Sequence, residues 1–350
     1  MVRRFTFAVP GDLATPTGGY AYDRRMIAEL EKLGWQIDLI DLGDGFPWPG
    51  GEMRKTALER LNAVPAGRAI VVDGLALGVL PDAAVQLGSR NPLIALVHHP
   101  LAMESGLTAQ QFDDLRASER AALAATRGVI VTSDATARQL AADYGVTSDL
   151  ITVARPGNDP VPMSQGSLDD IVHLLSVGAL VRRKGFDVLI AALATLTDLP
   201  WRLTIAGDRG RDPKTAAQLD ADIARHKLGG RIAVLGAVSV QQLAQLYAGA
   251  DLFVLASRFE GYGMAYAEAI AHGLPVIGTT AGAIPETVPA GAGVLVGPDD
   301  VDALAVALRE IIKNPKQRER LALSAREAAA QLPTWPESAK LLSLALEAVA

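Results

Sequence analysis

The chain has 350 residues, 49% of them hydrophobic and 21% charged, more than one core fills efficiently, so two domains with buried sheets are expected. A net charge of -6 without a basic tract argues against a nucleic-acid partner. The lack of cysteine excludes disulfides, thiolate metal sites and a cysteine nucleophile.

From Arg3-Arg4 the sequence runs directly into the strand-like FTFAV, with no apolar stretch of signal-peptide or membrane-span length, and a cytoplasmic location is the expectation. Strands are expected at 5–9, 36–40, 69–72, 93–97 and 129–132, separated by helical patterns such as 20–33 and 109–125. This is the alternation of parallel βαβ units. Several strands are apolar without alternation, as expected when helices cover both faces of a sheet. Prolines at 156, 160 and 162, with Gly157, break the pattern, and an interdomain linker and hinge is expected over 155–167.

The alternation restarts with strands at 171–177, 202–206, 232–235, 252–255, 276–278 and 293–296. The expected domains are 1–160, an N-terminal Rossmann-like domain, and 161–333, a second one. A final helix over 334–350, with Leu342, Ala345, Leu346 and Val349 on one face, is expected to pack back on a domain surface, toward the N-terminal one.

Ligands of open parallel sheets bind beyond the carboxyl ends of the strands, and four such places carry candidate chemistry. After the strand at 252–255 come Glu260, Gly261, Tyr262, Gly263 and Met264, then a helix bearing Glu268. Glycines there allow close backbone approach and the helix start can face an anion, although a plain turn followed by a solvated helix fits the spacing equally. After 171–177, Arg182, Arg183 and Lys184 precede Gly185 and an apolar helix. Cations at that point would neutralise a diphosphate leaving group in place of a metal; alone, such a run also fits an ordinary surface.

His98 and His99 end the fourth strand and point to opposite faces, so one of them can line a site. No nearby ligand spacing completes a zinc site. The loop after the first strand reaches Gly18-Gly19 but is not a G-x-G-x-x-G fingerprint, and Asp38 and Asp41 read as strand-end and loop acids.

Taken together, the segment from Glu260 to Glu268, the following Ala271 to Ile277 stretch, Gly18-Gly19, the histidine after the fourth strand, Pro156 to Asp159 and Ala281 to Glu286 resemble the family 4 retaining glycosyltransferases. The resemblance covers essentially the whole chain. It implies the α/β GT-B architecture of two Rossmann-like domains facing each other across a cleft, with the N-terminal domain taking the acceptor and the C-terminal one a UDP- or GDP-linked sugar. By the same resemblance Glu268 would bind ribose, Glu260 the donor sugar, Arg183 and Lys184 the diphosphate, and His98 the sugar. Gly18, Gly19, Gly207, Gly236, Gly261, Tyr262, Gly263 and Met264 would line the donor.

The family commonly has arginine after the glycine where this chain has Ala179, and Arg183 is the expected substitute. No cofactor or metal is expected: the Asp-x-Asp triplets at 220–222 and 300–302 fall in or at the start of helical segments, away from strand ends. The implied activity is retaining, metal-independent hexosyl transfer to a hydroxyl acceptor. The rivals are a non-catalytic sugar-binding protein and a nucleotide-sugar epimerase of the same fold. Membrane contact is possible in such a family but not indicated by a basic amphipathic helix.

Overall fold

The computed structural model describes residues 3–167 and 169–349; residues 1, 2, 168 and 350 of the expected domains lie outside the described residues. The chain divides into two compact units, Met1–Gly157 with Pro333–Ala350, and Asn158–Leu332.

In the first unit six strands run β1 (Arg3–Val9), β2 (Trp35–Asp41), β3 (Ala69–Asp73), β4 (Leu93–Val97), β5 (Gly128–Val131) and β6 (Ile151–Val153). They form one sheet in the order β2-β1-β3-β4-β5-β6, every pairing parallel. The short edge strand β6 is not evident in the apolar pattern, because three half-buried residues give no period to read. The central β3 and β4 are buried at every position, which is what uninterrupted apolar runs require of a sheet covered on both faces.

The second unit repeats the plan with β7 (Val172–Val177), β8 (Trp201–Ala206), β9 (Ile232–Val234), β10 (Leu252–Val254), β11 (Val276–Thr279) and β12 (Gly293–Val296). Its order is β12-β11-β10-β7-β8-β9, again all parallel. The expected α/β class is therefore observed in both units, each a doubly wound sheet. The two triplets of acids lie where their patterns put them: Asp220 and Asp222 inside the helix Pro213–Arg225, and Asp300 capping Val301–Lys313.

The C-terminal helix Trp335–Val349 buries Trp335, Leu342 and Leu346 within the first unit. Ser343 accepts from the Trp35 indole N–H at 2.9 Å, and the Ser338 hydroxyl donates to the Arg155 carbonyl. Tyr22 packs 6.0 Å from Trp335 and donates to the Ala154 carbonyl at 3.0 Å. Leaving the second unit at Pro333, the chain thus closes on residues just before the crossover at 157–158.

Candidate functional site

Four segments converge at the carboxyl ends of β7 and β10 in the second unit. Beyond β7 a single 3-10 turn, Arg182–Lys184, leads through Gly185 into the helix Phe186–Ala194. Gly185 adopts a left-handed φ of 65°, and a Cβ there would lie 1.9 Å from the Ala256 carbonyl oxygen. Only glycine accommodates both demands, and the turn is thereby pressed onto the segment that follows β10. Arg258 fixes the same junction from the other side. Its backbone N–H donates to the Arg183 carbonyl at 2.7 Å, and its guanidinium donates to both Asp187 oxygens, to the Arg182 carbonyl and to Asp299.

Held this way, Arg183 and Lys184 meet Glu260. Lys184 Nζ lies 2.7 Å from Glu260 Oε1, Arg183 Nη1 lies 3.2 Å from Oε2, and the Ser257 hydroxyl donates to Oε1 at 2.6 Å. Arg183 also donates to the Phe259 carbonyl at 2.9 Å. Burial opposes ionisation of Glu260, but the charges of Lys184 and Arg183 and the donated hydrogen bonds prevail and hold its carboxyl at about 2. A carboxylate so tied down has little basicity left for proton abstraction. Behind it, Gly282 at φ 59° would bring a Cβ to 2.3 Å from the Glu260 carbonyl oxygen, and Ala283 N–H donates to that carbonyl at 2.9 Å. The Ala281 to Glu286 stretch is thus a backing for Glu260.

Gly263 caps the helix Met264–Ala271 at φ 93°, with Gly261 and Tyr262 buried beside it. Glu268 stands half-buried on that helix and accepts from the Tyr247 hydroxyl at 2.8 Å. Burial raises its carboxyl above the ordinary range, against the Tyr247 hydrogen bond and the Lys184 charge. At the ends of β8 and β9, Gly207 N–H donates to the Gly236 carbonyl at 2.8 Å. Those two glycines therefore belong to one turn pair.

In the first unit Gly18 and Gly19 open the helix Gly18–Lys32, which Thr17 caps by accepting from Tyr20 N–H. A Cβ at Gly19 would lie 3.3 Å from His98 Cδ2. His98 and His99 have different partners: His98 Nε2 faces Asp23 Oδ1 at 3.2 Å and Asp73 Oδ2 at 3.9 Å, whereas His99 Nε2 lies 3.6 Å from Glu104. Asp23 and Asp73 are buried. Burial disfavours charge on His98, yet Asp23 and Asp73 raise its imidazole to about 9. Burial likewise pushes Asp73 to about 6, against the His98 charge.

Ligand atoms of Asp23, Asp73 and His98 all lie within 4.8 Å of one another, close enough to hold a cation. Sequence spacing showed no such group because its members come from a helix and two different strand ends. Asp73 sits at the end of β3, where strand-end inspection flags it; Asp23 has no comparable local signal. Ser257, Arg258 and Tyr247 were likewise missed, and only Ser257 and Arg258, directly after β10, carried a positional hint. Asp38 pairs with Arg4 and Arg68. Asp41 accepts from the N–H groups of Gly11 and Gly43, so both serve as strand-end and loop acids.

Residues 164–328 match the family model described as glycosyl transferases group 1. Among curated proteins, the chain is 28% identical to the MMP alpha-(1->4)-mannosyltransferase of Mycolicibacterium hassiacum, over 83% of this chain and 73% of that protein. It is 31% identical to D-inositol 3-phosphate glycosyltransferase 1 of Catenulispora acidiphila, over 63% of this chain and 57% of that protein. The chain thus spans little more than half the length of the second relative. Among solved structures, sucrose-phosphate synthase from Thermosynechococcus elongatus superposes with a TM-score of 0.83 at 22% identity, covering 99% of each chain. Anabaena HepE in complex with UDP and glucose does so with 0.75 at 21% identity, over 97% of this chain and 99% of that one. At those identities the likeness establishes the fold, which is GT-B. Residues 164–328 are a glycosyl transferases group 1 domain, and the curated proteins that the chain is similar to are named as glycosyltransferases.

Proposed function

We propose that this protein transfers a hexosyl group from a nucleotide-diphosphate sugar to a hydroxyl acceptor, with retention of anomeric configuration and without a metal ion. The observation that carries the reading is the Arg183–Glu260–Lys184 cluster. Two cations converge on one buried carboxylate at half-buried positions, where a charge-assisted hydrogen bond to a phosphate oxygen contributes about 1.5–3 kcal/mol. Such preorganised cations stabilise the negative charge that grows on a departing diphosphate.

In the reaction the bond from the anomeric carbon to the diphosphate oxygen breaks. A new bond to the acceptor oxygen forms on the same face, and the acceptor proton passes to the departing diphosphate. Glu260 supports this as an orienting group. Its lone pairs are already engaged by Lys184, Arg183 and Ser257, which speaks against its acting as nucleophile or base. Glu268, poised by Tyr247, is assigned to the ribose hydroxyls. The first unit is assigned the acceptor, with His98 offering a hydrogen bond to a sugar hydroxyl. HepE was solved with UDP, and a Corynebacterium glutamicum relative is named as GDP-mannose-dependent, so both UDP- and GDP-sugars belong in the test. Among the described residues no helix is long and apolar enough to cross a membrane, and a cytoplasmic enzyme is the reading we favour.

The test is incubation of purified protein with UDP-, GDP- and ADP-sugars, with and without candidate acceptors and with excess chelator, while nucleoside diphosphate release is measured. Release that survives chelation and falls in Glu260→Ala supports the reading. Equal release from wild type and Glu260→Ala refutes the site. Absence of release with every donor favours a binding protein, and conversion of the donor sugar without transfer favours an epimerase.

A further inference from the structure

The stretch Ala271 to Ile277 directly follows the helix of Glu268 and takes no part in the transfer proposed above, yet its single polar side chain, His272, is only 3% exposed. His272 caps the helix Met264–Ala271. Its N–H donates to the Glu268 carbonyl at 3.0 Å, and its own carbonyl accepts from Ser164 N–H at 2.7 Å. The ring is held as well as the backbone: Nδ1 lies 2.8 Å from the Pro162 carbonyl oxygen. A carbonyl can only accept, so this contact places a ring proton on Nδ1 and fixes the orientation of the imidazole.

The fixed ring lies on Tyr247, with centroids 5.0 Å apart and planes 11° from parallel. Tyr247, buried near the end of the helix Val240–Ala248, also packs against Phe253 of β10 at 6.2 Å and 27°. Its hydroxyl has one proton and two acceptors within reach, Glu268 Oε2 at 2.8 Å and the Ala265 carbonyl at 3.3 Å. The tilt of the phenol ring decides which of them is served. That tilt is set by the rings against which Tyr247 packs.

We propose that His272 is a positioning residue for the donor site: anchored on Pro162, its imidazole sets the Tyr247 ring so that the phenol proton goes to Glu268 and holds that carboxylate toward a nucleotide ribose. The ribose part rests on the function proposed above. The hold on Glu268 does not, and can be read without any ligand. Pro162, His272, Tyr247 and Glu268 all belong to the second unit.

The experiment is calorimetric titration of the full chain with UDP and with GDP, comparing wild type with His272→Ala, His272→Phe, Tyr247→Phe and Glu268→Gln. In His272→Ala the dissociation constant of the tighter-binding nucleotide should rise about three- to tenfold, the weight of one stacked-ring contact. His272→Phe, which restores a ring, should recover most of that loss; binding as weak as in His272→Ala overturns the role of the ring. The double variant His272→Ala/Tyr247→Phe should bind no more weakly than Tyr247→Phe, because residues acting through one hydrogen bond do not add. Additive losses, or unchanged affinity in His272→Ala where Glu268→Gln binds weakly, overturn the proposal. With saturating donor, kcat of His272→Ala should stay at the wild-type value while KM rises, and a fall in kcat alone counts against it. If Glu268→Gln binds like wild type, the ribose assignment is what fails. His272 is then judged by carbon-13 NMR titration of the Glu268 carboxyl, identified by its loss in Glu268→Gln. Its midpoint should rise in His272→Ala as in Tyr247→Phe, since a hydrogen bond to the charged form is lost; no rise in His272→Ala overturns the proposal.

Discussion

The two units share a plan, a six-stranded parallel sheet with its polar residues at the strand ends, but their charged clusters are opposite in sign. In the second unit Glu260 is outnumbered by Arg183 and Lys184; in the first, His98 is outnumbered by Asp23 and Asp73. In the first arrangement the two cations keep the carboxylate ionised. In the second the two carboxylates favour charge on the imidazole. The same architecture thus carries a carboxylate between two cations in one unit and an imidazole beside two carboxylates in the other, and the difference lies in which side chains fold to the ends of β3, β4, β7 and β10.

The largest effect expected from breaking this contrast is on turnover. Arg183→Ala or Lys184→Ala removes a donor to developing charge and should lower kcat by about 10²–10³-fold, measured as nucleoside diphosphate release with the best donor of the panel. Next in size is backbone strain at the turn that carries Arg183 and Lys184. Gly185→Ala places a Cβ against the Ala256 carbonyl at a left-handed φ, and chemical denaturation should show a loss of about 3 kcal/mol. Glu260→Gln leaves two half-buried cations short of their anion and should cost a comparable amount, about 3 kcal/mol, with the melting temperature as readout.

The contrast also predicts opposite pH flanks. Glu260 is held at about 2 when folded against an ordinary 4.5, so its contribution is present above pH 4.5 and lost as pH falls toward 2. His98 is held at about 9 against an ordinary 6.5, so its contribution is complete below pH 6.5 and lost as pH rises through 9. Unfolding measured across pH should therefore weaken on the acid side through the second unit and on the alkaline side through the first. Glu260→Gln should flatten the acid flank and Asp23→Asn the alkaline one; if each variant leaves its flank as steep as in wild type, the charge assignments fail. The smallest effect is Tyr247→Phe, which removes one hydrogen bond to Glu268 and should change stability by only about 1 kcal/mol.

Much of this was legible in the sequence because parallel strands buried on both faces must be apolar throughout. The runs at 69–72 and 93–97 matched β3 and β4 almost to the residue, and the glycines and basic residues after 171–177 and 252–255 marked the segments that the structure brings together. Residue types local to a strand end, such as Arg183, Lys184, Glu260 and His98, could be named without a structure. So could the C-terminal helix, from the spacing of Leu342 and Leu346.

What only tertiary structure decided is who meets whom. That Glu260 accepts from both cations follows from Gly185 and Arg258 pinning one loop on another, 76 residues apart for Lys184 and Glu260. That Asp23 and Asp73 flank His98 follows from the Gly18–Lys32 helix and the ends of β3 and β4 coming together. Sequence patterns report each element's own period and burial, whereas a charge's partner is set by packing between elements distant in the chain. The strand-end residues were therefore readable one by one, and the opposite electrostatic character of their two clusters was not.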